Sequence, residues 1–261
     1  MPMLLALLPV VFASRAALAA TFAPPPPATP HLKSYSDWAA LWQQWAFGTP
    51  ADHNPVLDTT GADCAVNQPV PGVFFLAGTF DGSAVTRSCT VPVGTAFLAP
   101  MLNKVFFAQQ SDPPEQRTEA FVRSQVTCVE TSPSLTLTVD GQALPNPRSY
   151  LEKSTLFSLN LPPNNIFGVP PQLLSPAADE GYYGFVEPLT PGVHVLHLTA
   201  SSTACGATQD ATYNLNVQGT VGTPRTCSGT QQLTLTNVDI QTTGVALTVS
   251  GSCTVRVTNS V

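Results

Sequence analysis

The chain has 261 residues, and only 10% are Asp, Glu, Lys or Arg, against about 25% in an average soluble domain. Ten basic residues scattered among sixteen acidic ones give a net charge of −6 and leave no cationic stripe, which argues against a sequence-independent nucleic-acid binder. Hydrophobic residues at 43% are too many for a disordered chain, and beyond the N-terminus no apolar run reaches the ~18 residues of a membrane span.

Leu4 to Phe12 form an apolar stretch, and Ala17-Leu18-Ala19 follows as a small-x-small site. The pattern predicts an export signal over residues 1–20, cut after Ala19 or Ala20, although Met1-Pro2 lacks the Lys or Arg that usually opens one. No membrane span is expected once it is removed. Residues 21–33, with Ala23-Pro24-Pro25-Pro26-Pro27, read as a Pro-rich linker that spaces rather than folds. Six cysteines remain: Cys64, Cys89, Cys128, Cys205, Cys227 and Cys253. An even count in an exported chain implies disulfides. We expect Cys64–Cys89, Cys128–Cys205 and Cys227–Cys253, because the first and third close short loops. No C-x-x-C and no histidine at ligand spacing supports a zinc site.

Ser34 to Phe47 has the clearest helix signature, with capping-box spacing at Ser34 and Asp37 and a stop at Gly48 and Pro50. Trp38, Trp42 and Trp45 fall on one face of it. That face is either an aromatic platform for a sugar or the face that packs on a sheet. A polar loop follows. Asp52, Asp58 and Asp63, with His53 and Asn54, could supply oxygen ligands to calcium, the one cofactor the sequence suggests. The spacing fits no EF-hand, and turn chemistry accounts for the same residues.

Strand signals then dominate. They run over 73–77, 84–91, 95–102, 105–108, 135–139, 155–161, 182–188, 193–199 and 211–217. Asp140-Gly141 predicts a hairpin turn, and Thr190-Pro191-Gly192 a tight turn. A second helix is expected from Asp112-Pro113-Pro114 to Cys128. Asp179-Glu180-Gly181 reads as a solvated loop. Frequent turns and few helices predict a mainly β fold over 34–219: an antiparallel β-sandwich, jelly-roll or Ig-like, with two short helices. Residues 220–261 differ. Leu233-Thr234-Leu235-Thr236-Asn237 is echoed 22 residues on by Val255-Arg256-Val257-Thr258-Asn259. This predicts a short β-solenoid-like tail, either docked on the sandwich or a fragment of a longer solenoid, or else a terminal hairpin pinned by Cys227–Cys253.

Several motifs occur in order: Trp38-Ala39-Ala40-Leu41-Trp42-Gln43-Gln44-Trp45; Asn54-Pro55, Asp58, Gly61 and Cys64; and Phe75-Leu76-Ala77-Gly78-Thr79. Arg87-Ser88-Cys89, Val91-Pro92, Gly94, Leu161-Pro162-Pro163-Asn164-Asn165, Phe167-Gly168 and Pro191-Gly192-Val193-His194 continue the series. Across residues 34–218 the chain resembles a family of exported bacterial proteins of uncharacterised function. It departs from that pattern at Gln43, where a second Trp is usual. The tail resembles the parallel β-helix coils of secreted bacterial surface proteins. Neither resemblance implies an activity.

The sequence holds no G-x-S-x-G, H-E-x-x-H, P-loop or G-x-G-x-x-G motif. His194 and His197 lie three apart in a strand pattern and should face opposite sides. Nothing selects a carboxylate pair for glycoside hydrolysis from Asp58, Asp63, Asp81, Glu152 and Glu187. Asn164 and Asn165 could line a groove or simply make a turn. The leading expectation is therefore an exported, non-enzymatic surface or extracellular protein for adhesion or glycan binding, its partner a glycan or another cell-surface component. The alternatives are a secreted glycoside hydrolase or polysaccharide lyase, and a structural stalk or passenger fragment.

Overall fold

A computed structural model of the chain describes residues 20–221, 225–236, 238–239 and 247–258. The export signal falls almost wholly outside them. Helix α1 (Tyr35–Gly48) starts where its cap predicts. Ser34 Oγ accepts from the Asp37 amide at 3.1 Å, and its hydroxyl donates to the Asp37 carboxylate at 2.7 Å.

Alternation of apolar and polar residues builds β2 (Ala84–Pro92) and β4 (Ser134–Val139), while continuous apolar runs build the fully buried β1 (Val73–Phe75) and the first half of β3 (Ala96–Gln109). β5 (Gln142–Ala143), β6 (Leu151–Lys153), β7 (Phe157–Asn160), β8 (Leu173–Val186), β9 (Gly192–Ser202) and β10 (Ala207–Gln218) follow. One sheet has the order β1-β3-β8-β6, with β7 also on β8; the other runs β2-β10-β9-β4-β5. Asp140 and Gly141, both at positive φ, make the predicted turn between β4 and β5.

The fold is mainly β, but the sheets are mixed rather than antiparallel. β1 runs parallel to β3, and β2 parallel to β10. β2 and β10 are far apart in sequence, so no hairpin turn dictates their direction. The two expected strands 95–102 and 105–108 are one strand, β3, which shifts register against β8 between Pro100 and Leu102. The second helix is broken. Thr118 caps a new start, leaving α2 (Glu119–Ser124) between short 3-10 turns at Pro114–Arg117 and Thr127–Glu130.

The first sheet is covered on both faces. On one, Trp38 of α1 packs against Phe75 and Phe185 at 5.9 and 5.5 Å between ring centroids. On the other, Gly184 lets Leu137 of the second sheet approach so closely that a Cβ there would lie 2.5 Å from its Cδ2. The Pro-rich segment is not a free spacer. Phe22 bridges to Val186, and Ala23 donates to Phe185 O. Pro24 O and Pro30 O accept from the Tyr35 hydroxyl and the Trp38 indole, both at 2.9 Å. Proline lacks a donor, but its carbonyl still accepts.

The three disulfides pair as expected: Cys64–Cys89, Cys128–Cys205 and Cys227–Cys253. In the tail, β11 (Thr220–Val221) pairs in parallel with β14 (Val238–Asp239), and β12 (Arg225–Cys227) with β15 (Leu247–Val249). β13 (Gln232–Thr236) pairs in parallel with β16 (Thr254–Thr258), putting Leu233 beside Val255. A terminal hairpin would make antiparallel pairs, so these pairs exclude it. Asn237 and Asn259 lie outside the described residues.

Candidate functional site

A cleft of about 580 Å³ opens between the two sheets beside the end of α1. Its apolar wall is Trp42, Phe47, Val56, Phe80, Phe107 and Phe167. Phe47 stacks on Phe167 at 5.3 Å and meets Phe107 edge-on at 5.1 Å. Phe80 and Phe167 remain 54% and 37% exposed, so two aromatic rings face solvent at its rim. Thr79, Asn103, Lys104 and Gln209 supply polar groups.

Each wall is held from behind. Arg87 is 1% exposed, and among the described residues no carboxylate pairs with it. Its guanidinium instead donates to Asp58 O (2.7 Å), Ala77 O (2.6 Å), Gly78 O (3.0 Å) and the Tyr213 hydroxyl (2.6 Å). These bonds fix the irregular segment after β1 that carries Thr79 and Phe80. Gln209 Oε1 accepts from the Thr79 amide at 2.9 Å. Asn165 is buried. Its amide donates to Pro162 O and Val169 O at 2.8 and 2.7 Å, shaping the turn that presents Phe167. Cys205, bonded to Cys128, forms part of the remaining side.

Most residues singled out from sequence do other work. The three tryptophans are buried, and each indole is consumed by a backbone carbonyl: Trp38 by Pro30, Trp42 by Leu76 and Trp45 by Val66. The aromatic platform is therefore overturned, and of the three only Trp42 touches the cleft. Asn165 shapes a turn rather than meeting a ligand, while Asn164 is exposed and lends only its carbonyl, to Ala51 N.

The acidic loop does not converge. Asp58 accepts from Thr60 N, Thr60 Oγ1 and Asp63 N. Partial burial opposes ionisation of this carboxyl, but those hydrogen bonds outweigh it and hold its pKa below the usual range. Asp63 pairs with His53 at 3.0 Å, and Asp52 points to solvent. Among the described residues no group of three metal-ligating side chains forms. His194 and His197 occupy opposite faces of β9, the first on Asp140 at 2.7 Å and the second on Asp210 at 2.9 Å.

Asp179 and Glu180 are the residues that sequence reasoning placed wrongly. They lie mid-strand in β8, 0% and 1% exposed. Asp179 accepts from Gln43 Nε2 at 2.6 Å and from the Tyr183 hydroxyl at 2.5 Å. Burial drives its pKa well above the ordinary range, against those hydrogen bonds. Gln43, on the buried side of α1, is thus the partner of a buried acid. Glu180 points to the other face. Among the described residues neither of its oxygens has a hydrogen-bond partner, and Lys153 Nζ lies 3.6 Å away. Burial, reinforced by the Glu130 carboxyl and opposed by Lys153, pushes it up to about 7.

Neighbouring strand residues point apart, so these carboxyls cannot act together, and neither lines the cleft. The one carboxylate on the cleft wall is Asp81, which accepts from Ser83 Oγ and Ser83 N at 2.7 and 3.0 Å. No protein family, no curated protein and no solved structure matches this chain.

Proposed function

We propose that the chain is an exported, non-enzymatic binding protein, and that the cleft beside α1 is its ligand site. The cleft carries this reading. It is within the usual size of a ligand pocket, gathers several aromatic side chains, and holds polar groups that would orient a bound molecule. Three disulfides and the low charge support an extracellular or cell-surface setting, since disulfides persist where the medium is oxidising. We read the packed sheets as a jelly-roll-like sandwich. The 22-residue parallel offset supports reading the tail as solenoid-like coils that extend it.

Adhesion or glycan recognition would use the partly exposed Phe80 and Phe167 in place of the buried tryptophans. A glycosidase needs two carboxyl groups about 5–10 Å apart across its cleft. The cleft wall offers Asp81 alone, so binding is the better account.

The test is amide chemical-shift mapping of the oxidised protein with 8-anilinonaphthalene-1-sulfonate, and separately with cello- and chito-oligosaccharides. We expect shifts over residues 78–82, 103–107 and 205–209, weakened by Phe80→Ala with Phe167→Ala. No shift with any probe, or shifts scattered over the surface, would overturn the assignment.

A further inference from the structure

Five consecutive residues of β3, Asn103 to Phe107, line the cleft. Side chains of a strand alternate between faces, so five in a row meet one cavity only when it runs along the strand's edge. β8 occupies one edge of β3. On the other, β1 pairs only with Ala96 to Leu98, and one further bond runs from Leu76 N to Leu98 O. Beyond that point no described strand pairs with this edge.

The directions of the backbone groups follow from β8. Asp179 N donates to Ser154 Oγ, and Asp179 O accepts from Ser154 N, so both groups point away from β3. Asp179 faces Val105 in the register, which makes this a non-hydrogen-bonded pair. Val105 therefore turns its own N–H and C=O away from β8, into the cleft. Asn103 and Phe107, facing Gly181 and Ala177, do the same. Among the described residues nothing bonds to these six groups.

We infer that the cleft takes an extended polypeptide segment, which adds to the first sheet as a strand along Asn103–Phe107. Only a peptide backbone repeats donor and acceptor at the two-residue spacing this edge presents, over ~13 Å. Its side chains would alternate. Every second one would enter the wall made by Phe47, Phe107 and Phe167, and those between would face Lys104. The partner is thus a segment with apolar residues at alternate positions and polar or acidic residues between. This rests on the cleft being the ligand site, and it names the ligand's class.

The experiment pans a displayed random decapeptide library against the full oxidised chain, then measures the enriched peptide by fluorescence polarisation. Methylating its amide nitrogens one at a time should weaken binding tenfold or more at every second position and little between. Val105→Pro removes an outward N–H while sparing the ladder to β8, and should also cost at least tenfold. The methylation series decides the matter if that variant does not fold. An empty selection, or a methylation series without the period of two, overturns the inference. So does a dimer by sedimentation that Val105→Pro abolishes, since a second copy would then hold the edge. If anilinonaphthalene sulfonate or an oligosaccharide still maps to the cleft in those cases, the ligand site stands and the peptide alone fails.

Discussion

A buried carboxyl stays neutral unless its surroundings replace the water it has lost. Among the described residues Glu180 has no hydrogen bond to either oxygen, so its charged form is penalised only in the folded state. Unfolded, it titrates near ~4.3. Folded, it titrates at about 7. Between those values the native state holds the extra proton, so stability falls as pH rises. We expect urea unfolding to show a loss of about 3 kcal/mol between pH 4.5 and pH 8 from this residue. Glu180→Gln should flatten the profile in that window, and an unchanged slope would refute the assignment. Arg87→Ala should cost about 3 kcal/mol, because it orphans Asp58 O and Gly78 O and leaves Ala77 O with the Tyr213 hydroxyl alone. Arg87→Lys should recover little, since it cannot reproduce the fork. The Ser34 cap was readable because it is local. The burial of Asp179 and Glu180 was not, because it depends on what α1, β3 and β6 bring to β8.

At the level of elements, the predicted spans succeed where alternation is clean, as in β2, and fail where a bulge or a close pairing intervenes. Asn103 and Lys104 look like punctuation, yet they sit inside β3 because β8 supplies a partner across them. The cleft itself was not legible. Phe47, Phe80, Phe107 and Phe167 come from four distant segments, and no spacing connects them. The Cys128–Cys205 bond ties the 3-10 turn at Thr127–Glu130 to the turn before β10, across a sequence separation of 77. By loop entropy it contributes about 4 kcal/mol. Replacing both cysteines with Ser should lower the melting temperature by roughly 10 °C in calorimetry. It should also weaken anilinonaphthalene sulfonate binding, since Cys205 and Gly206 wall the cleft. Unchanged probe affinity would show that the bond plays no part in shaping it.

The molecule as a whole carries few charges, and they are spent locally. Arg87 is held by backbone carbonyls, Asp58 and Asp81 accept hydrogen bonds within their own loops, and His194 and His197 each pair with one Asp. Packing and disulfides remain as the main support, so native protein should show no free thiol and should lose more than about 10 °C of melting temperature under full reduction. The same thrift leaves the cleft largely uncharged, a site for shape and backbone recognition rather than acid–base chemistry.

The most direct measurement is amide hydrogen exchange along β3, with and without a selected peptide. The free protein should show fast exchange at Asn103, Val105 and Phe107 and slow exchange at Lys104 and Phe106, which bond to β8. The peptide should slow the first three and leave the others unchanged. Uniform protection of all five amides in the free protein would contradict an open edge, and with it the account of the cleft as a strand acceptor.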